Sequence, residues 1–104
     1  MLGRIGGLMS RHVLICDDNR DLLRFLALEV SAASEWRVLP AENAAEARHL
    51  LRIHRIDAAL IDYHLGGESG LDLAREVREA LPEASITLMS GASQQLKGEI
   101  EACG

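Results

Sequence analysis

A chain of 104 residues with 16 acidic and 11 basic side chains carries a formal net charge of −5. That length holds one small domain, and that balance argues against recognition of a phosphate backbone as the main work. Hydrophobic residues make up 48% of the chain but aromatic ones only 3%, so the core must come from Leu, Ile, Val and Ala. A domain of this size buries roughly 65% of its unfolded surface, which makes every element count. No run reaches the ~18 apolar residues of a membrane span. Cys16 and Cys103 form no CxxC pair and no disulfide framework; both read as small buried hydrophobes, and a reducing cytoplasm is the expected setting.

Residues 1–11 read as an N-terminal extension. The segment is glycine-rich, and its apolar stretches fall short of the ~7–15-residue core of a secretory signal. Met9, just ahead of the patterned sequence, is an alternative start. The patterned domain runs from 12 to 104. His12–Cys16 is a continuous apolar run ending in Asp17-Asp18, the signature of a strand buried on both faces. Asn19 is placed to cap a helix in which Leu22, Phe25, Leu26 and Val30 recur at helical spacing. Trp36–Pro40 is a weaker strand, confined to an edge because Pro40 has no N–H for a ladder. Asn43-x-x-Glu46 resembles a capping box, and Ala47, Leu50, Leu51 and His54 mark the helix face behind it.

Asp57–Ile61 leads into Asp62 as another buried strand, and Tyr63–Gly67 follows as a glycine-bearing loop. Ser69 caps a third helix with a stripe of Leu71, Ala74, Val77 and Leu81, and Pro82 stops it. Ser85–Met89 is a fourth strand ending at Ser90-Gly91. A weak helix with Leu96, Ile100 and Cys103 on one side comes last. This strand–helix alternation predicts a parallel sheet with helices on both faces and right-handed crossovers. Ligands of such sheets bind at the carboxyl ends of the strands.

Three carboxylates occupy such ends: Asp17 and Asp18 after the first strand, and Asp62 closing the third. If those strands are neighbours, the three converge and repel one another unless a cation lies between them. Hard oxygen donors in an incomplete cage suit Mg²⁺. Taken singly, an aspartate after a strand is most often a cap or turn former, the reading preferred for Asp57. His49 and His54 stand off a common helix face, which argues against zinc. Gly66 and Gly67 read as loop residues with positive φ rather than as a phosphate-cradling loop.

The combination of motifs resembles the receiver domain of two-component response regulators. Val-Leu-Ile-Cys-Asp17-Asp18-Asn is similar to the opening of that family. Leu-Ile-Asp62-Tyr-His-Leu-Gly-Gly-Glu-Ser-Gly70-Leu-Asp-Leu is similar to its phosphoacceptor strand, loop and helix start. Ile-Thr-Leu-Met-Ser90-Gly91 is similar to its fourth strand, and Ala41-Glu-Asn-Ala-Ala-Glu-Ala47 to its link into the second helix. The resemblance implies a flavodoxin-like doubly wound sheet of strand order 2-1-3-4. It implies that Asp62 takes a phosphoryl group from a sensor histidine kinase or phosphotransfer protein. Asp18 and Asp62 would hold Mg²⁺ directly, with Asp17 nearby or acting through water, and the backbone carbonyl of His64 would be a further metal ligand. Ser90 would hydrogen-bond the phosphoryl oxygen.

The sequence departs from the family in two places. The fifth strand and helix are missing, and with them a lysine that reaches the phosphoryl group; Lys97 falls inside the last helical segment and is no substitute. The domain is thus expected to be a C-terminally truncated receiver, its fourth strand an open edge able to take a second copy or a partner strand. Gly66 also replaces the usual proline. The main alternative is a receiver that acts only in protein interaction. An aspartyl-phosphate phosphatase wants Asp-x-Asp after its first strand, where this chain has adjacent aspartates. A flavin-binding domain wants a hydroxyl- and glycine-rich loop where this chain is acidic. Neither nucleic acid nor membrane is an expected partner.

Overall fold

The short apolar runs become the strands of one parallel sheet, and the amphipathic stretches between them become its helices. The computed structural model describes residues 11–89. In chain order the elements are β1 (His12–Cys16), α1 (Arg20–Ala33), β2 (Arg37–Ala41), α2 (Ala44–Ile53), β3 (Ala58–Asp62), the two-residue strands β4 (His64–Leu65) and β5 (Glu68–Ser69), α3 (Gly70–Ala80) and β6 (Ser85–Met89). The four long strands run parallel in the order β2-β1-β3-β6, which is the 2-1-3-4 arrangement expected of the main strands. β2 lies at an edge, as Pro40 requires.

The helix starts are set by local chemistry. Asn19, Asn43 and Ser69 each accept a hydrogen bond from a backbone N–H three residues on, satisfying a donor that the first turn leaves free. The box ahead of α2 closes one residue early. Glu46 accepts from the N–H of Glu42, at 2.7 Å, rather than from Asn43. α3 ends at Ala80, with Leu81 as its C-cap immediately before Pro82, because the residue before a proline is pushed out of helical conformation.

Alternation along the central strands divides the core in two. Leu14 and Cys16 face the larger cluster, with Ala47 of α2 and Leu73 and Val77 of α3. Val13 and Ile15 face the smaller one, under Leu23 of α1. Each fully buried Leu or Ile stabilises the fold by about 1.5–3 kcal/mol. Two helix faces differ from the expected ones. In α1 the buried residue is Leu23, with Leu26 and Val30 packed beside it, whereas Phe25 is 56% exposed. Two residues past Leu23 the helix has turned about 200°, which carries Phe25 to the outer side. In α3 Leu73 and Val77 are fully buried, with Ala74 beside them, while Leu71 is half-buried.

The segment after β3 is more ordered than a loop. β4 and β5 pair antiparallel, His64 with Ser69 and Leu65 with Glu68, around Gly66-Gly67. Gly66 has φ 63° and is the one residue of positive φ among those described. Positive φ at the first central position alone is the pattern of a II′ hairpin turn, which takes glycine there. A proline, with φ fixed near −65°, cannot occupy that position. The exchange of the family's usual proline for glycine is therefore what this hairpin needs.

Candidate metal centre

β1 and β3 are neighbours in register, Cys16 opposite Ile61. One step further along both strands brings Asp17 beside Asp62. Ligand oxygens of Asp17, Asp18 and Asp62 lie within 4.8 Å of one another. Asp17 and Asp62 are buried, at 2% and 3% exposure, and Asp18 is exposed. The convergence expected of the three strand-end carboxylates is thus present at one edge of the sheet.

Backbone groups hold each carboxylate in place. The N–H of Asp17 donates to the carbonyl of Ala41, at 3.0 Å, which ties the end of β1 to the end of β2. Asp17 Oδ1 accepts from the N–H of Asn19 at 2.8 Å, a local turn that leads into α1. Asp62 Oδ1 accepts from the N–H of His64 at 3.3 Å. The N–H of Tyr63 donates to the carbonyl of Met89, at 2.7 Å, so β3 stays in the sheet up to the residue after Asp62. Across the cluster, an added Cβ on Gly66 would lie 3.8 Å from Asp18 Oδ2, which places the β4–β5 turn against the third carboxylate.

Burial pushes the Asp17 carboxyl up to about 6; the Asn19 N–H counters part of the effect, and the charges of Asp62 and Asp18 add to it. Asp62 is also raised, first by burial, with the His64 N–H pulling the other way and the Asp18 charge adding to the rise. Cys16, fully buried behind the cluster, is pushed up to about 12 by burial and then by the Asp17 charge. It stays a thiol, its Sγ 3.5 Å from the carbonyl of Asn43. The inert reading of Cys16 follows.

The donor set fits a hard divalent cation. Two buried carboxylates held above their ordinary range beside a third exposed one form a site that no lysine or arginine pairs with among the described residues. A cation removes that repulsion and restores the ionised forms. Three oxygen ligands open to solvent on one side match Mg²⁺, which keeps several waters.

The remaining expected residues fall elsewhere. Ser90, Lys97, Cys103 and the last helical segment lie outside the described residues. Asp57 sits at the opposite end of β3 and caps no helix; its Oδ2 accepts the N–H of His12 at 3.0 Å. Gly70 is a site residue whose role the motif alone did not reveal. A Cβ there would collide with the carbonyl of Asp62, and the Gly70 N–H donates to the carbonyl of Tyr63 at 2.8 Å. The available signal was a glycine in the first turn of a helix, where proline or a good helix former is usual.

Comparison with known proteins agrees with this architecture. Residues 13–103 match the response regulator receiver domain. A response regulator receiver protein of Anaeromyxobacter sp. (strain Fw109-5) is 38% identical over 80 residues, covering 77% of this chain and 33% of the relative. The aerobic respiration control protein ArcA of Escherichia coli is 32% identical over 82 residues, covering 79% of this chain and 33% of ArcA. A response regulator structure from Burkholderia pseudomallei, with a phosphorylated aspartic acid, calcium ion and citrate, superposes with a TM-score of 0.74 at 28% identity, over 81% of this chain and 49% of that one. The response regulator TrrA from Thermotoga maritima, in complex with Mg²⁺-BeF, gives 0.72 at 27% identity, over 82% and 73%. The chain belongs to the response regulator receiver domain family. It spans between about a sixth and a third of the length of the first curated relatives it matches.

Proposed function

We propose that this receiver domain accepts a phosphoryl group on Asp62 from the phosphohistidine of a sensor histidine kinase or phosphotransfer protein. The observation that carries the reading is the packing of Asp17, Asp18 and Asp62 within 4.8 Å at the carboxyl edge of the sheet. It is supported by the family membership and by the phosphorylated aspartic acid of the Burkholderia relative.

In the step, a carboxylate oxygen of Asp62 attacks phosphorus in line with the scissile bond. The N–P bond breaks, its electrons return to the donor imidazole, and an acyl phosphate forms. Asp17, Asp18, Asp62 and the backbone carbonyl of His64 would hold Mg²⁺, which supplies positive charge to the phosphoryl oxygens when bound. The His64 N–H steadies one oxygen of Asp62. Ser90 would donate its hydroxyl to a phosphoryl oxygen. The domain acts as a signalling phosphoacceptor rather than an enzyme, and slow hydrolysis of its own acyl phosphate would reset it. Among the described residues β6 has a strand neighbour on one side only, so its outer edge is where a second copy or a partner strand would add.

The test is intact-mass spectrometry after incubation with Mg²⁺ and a small-molecule phosphodonor. One added phosphoryl group, absent from Asp62→Asn, is the expected outcome. No added mass in the unmodified chain would leave the interaction-only receiver.

A further inference from the structure

The Arg48 side chain on α2, 34% exposed, grips two carboxylates from two other elements. Its Nε and Nη2 donate to Glu76 of α3 at 2.9 and 3.0 Å. Its Nη2 and Nη1 donate to Glu68 of β5 at 3.1 and 3.4 Å. One guanidinium thus serves two forks at once. The two glutamates lie 20 and 28 residues further along the chain. Glu76 is held below its ordinary carboxylate range by this contact.

The grip on Glu68 leads to the metal centre through a short path. Glu68 pairs with Leu65 and Ser69 pairs with His64 in the hairpin. The His64 N–H is bonded to Asp62 Oδ1, and the turn at Gly66 stands against Asp18. The hairpin therefore forms one wall of the carboxylate cluster. On the helix side its outer strand is fastened to α2 by Arg48, while Leu65 is anchored in the core.

We propose that Arg48 is a positioning residue that clamps the β4–β5 hairpin to α2 and α3 and thereby sets the cation affinity of the Asp17–Asp18–Asp62 centre. This rests on the phosphoacceptor reading of that centre. An isolated exposed ion pair contributes little, but the planar five-donor fork fixes the direction of two carboxylates together, which a lysine point charge cannot do. Partners outside the ligand sphere tune metal affinity by orienting the ligands. The clamp acts one step beyond them.

The sign of the effect separates a clamp from a charge. If Arg48 acts only through its positive charge near an acidic site, Arg48→Ala makes the centre more attractive to a cation and tightens Mg²⁺. If it acts as a clamp, Arg48→Ala weakens Mg²⁺, and Arg48→Lys, which keeps the charge and loses the forks, weakens it too.

The experiment is calorimetric titration of Mg²⁺ into the full chain and both variants, paired with amide hydrogen exchange of the metal-free proteins. The expected result is a rise in the Mg²⁺ dissociation constant of about 3- to 10-fold in both variants. Exchange should quicken at Leu65, Glu68 and Gly70, with β1 amides unchanged. Tighter binding by Arg48→Ala, unchanged binding in both variants, or exchange quickened evenly through β1 and β3 would overturn the proposal. Should Arg48→Ala fail to fold, Arg48→Lys decides by the same readouts. An unmodified chain that neither binds Mg²⁺ nor accepts a phosphoryl group would fail the phosphoacceptor reading instead, and the metal-free exchange would then decide the clamp alone.

Discussion

Asp57 and Asp62 stand at opposite ends of one strand, and the two ends treat the same side chain in opposite ways. At the amino end, Asp57 is compensated: its Oδ2 takes the His12 N–H at 3.0 Å, and its Oδ1 lies 3.9 Å from the Arg55 guanidinium. At the carboxyl end, Asp62 is buried against Asp17 and beside Asp18, with one backbone N–H for support and its carboxyl raised above the usual range. The first arrangement moors β1 to β3. The second stores repulsion that a cation can relieve. A carboxylate crowded by other acids at a strand end is a candidate for a site, and one held by a backbone donor and a guanidinium serves the structure.

Three experiments would break or sharpen that contrast. The largest effect is expected from Gly70→Ala, whose new methyl group would meet the carbonyl of Asp62. The carboxyl end of β3 or the start of α3 must move, at a cost of about 3 kcal/mol in denaturant unfolding. A neutral result would show that this end is looser than its packing implies.

The next is the dependence of stability on pH. The Asp17 carboxyl rises from an ordinary 3.8 to about 6 on folding. Between those values the folded state holds a proton that the unfolded state has released, so the metal-free chain loses stability as pH rises through that window. Below it both states are protonated, and above it both are ionised and the loss is complete. The expected loss is on the order of 2 kcal/mol, with Asp62 adding in the same direction. Thermal melts in chelator and in saturating Mg²⁺ should diverge above that window, since the cation favours the ionised forms. Parallel curves would remove the repulsion from the account.

The smallest is Asp57→Ala. It leaves the His12 N–H without its acceptor and should cost about 1 kcal/mol, while phosphoryl acceptance in the mass assay stays as in the unmodified chain. Loss of acceptance would mean that the two ends of β3 are not independent.

The sequence carried the order of the long strands and helices among the described residues, the parallel sheet, the caps of those three helices and the three strand-end aspartates, because each depends on local pattern. A buried strand reads as an apolar run, a cap as a short polar side chain before a helical stripe, and a site as acids where the strands stop. It misjudged the inward face of α1 because Leu22, Leu23, Phe25 and Leu26 are all apolar, and only packing against Val13 and Ile15 selects Leu23 over Phe25. The hairpin His64–Ser69 does not show in the sequence because strands of two residues carry no periodicity.

What tertiary structure alone decided is what depends on distant partners. Asp17 and Asp62 are 45 positions apart and meet because β1 and β3 are neighbours in register. Gly70 is required because the chain folds back onto the carbonyl of Asp62. Arg48 looks like any solvated arginine on a helix until α3 and the hairpin bring Glu76 and Glu68 to its two forks. The identity of a residue is local, but its compensation is not: whether a charge is paired, buried or left to bind a cation is fixed by which elements the fold places beside it.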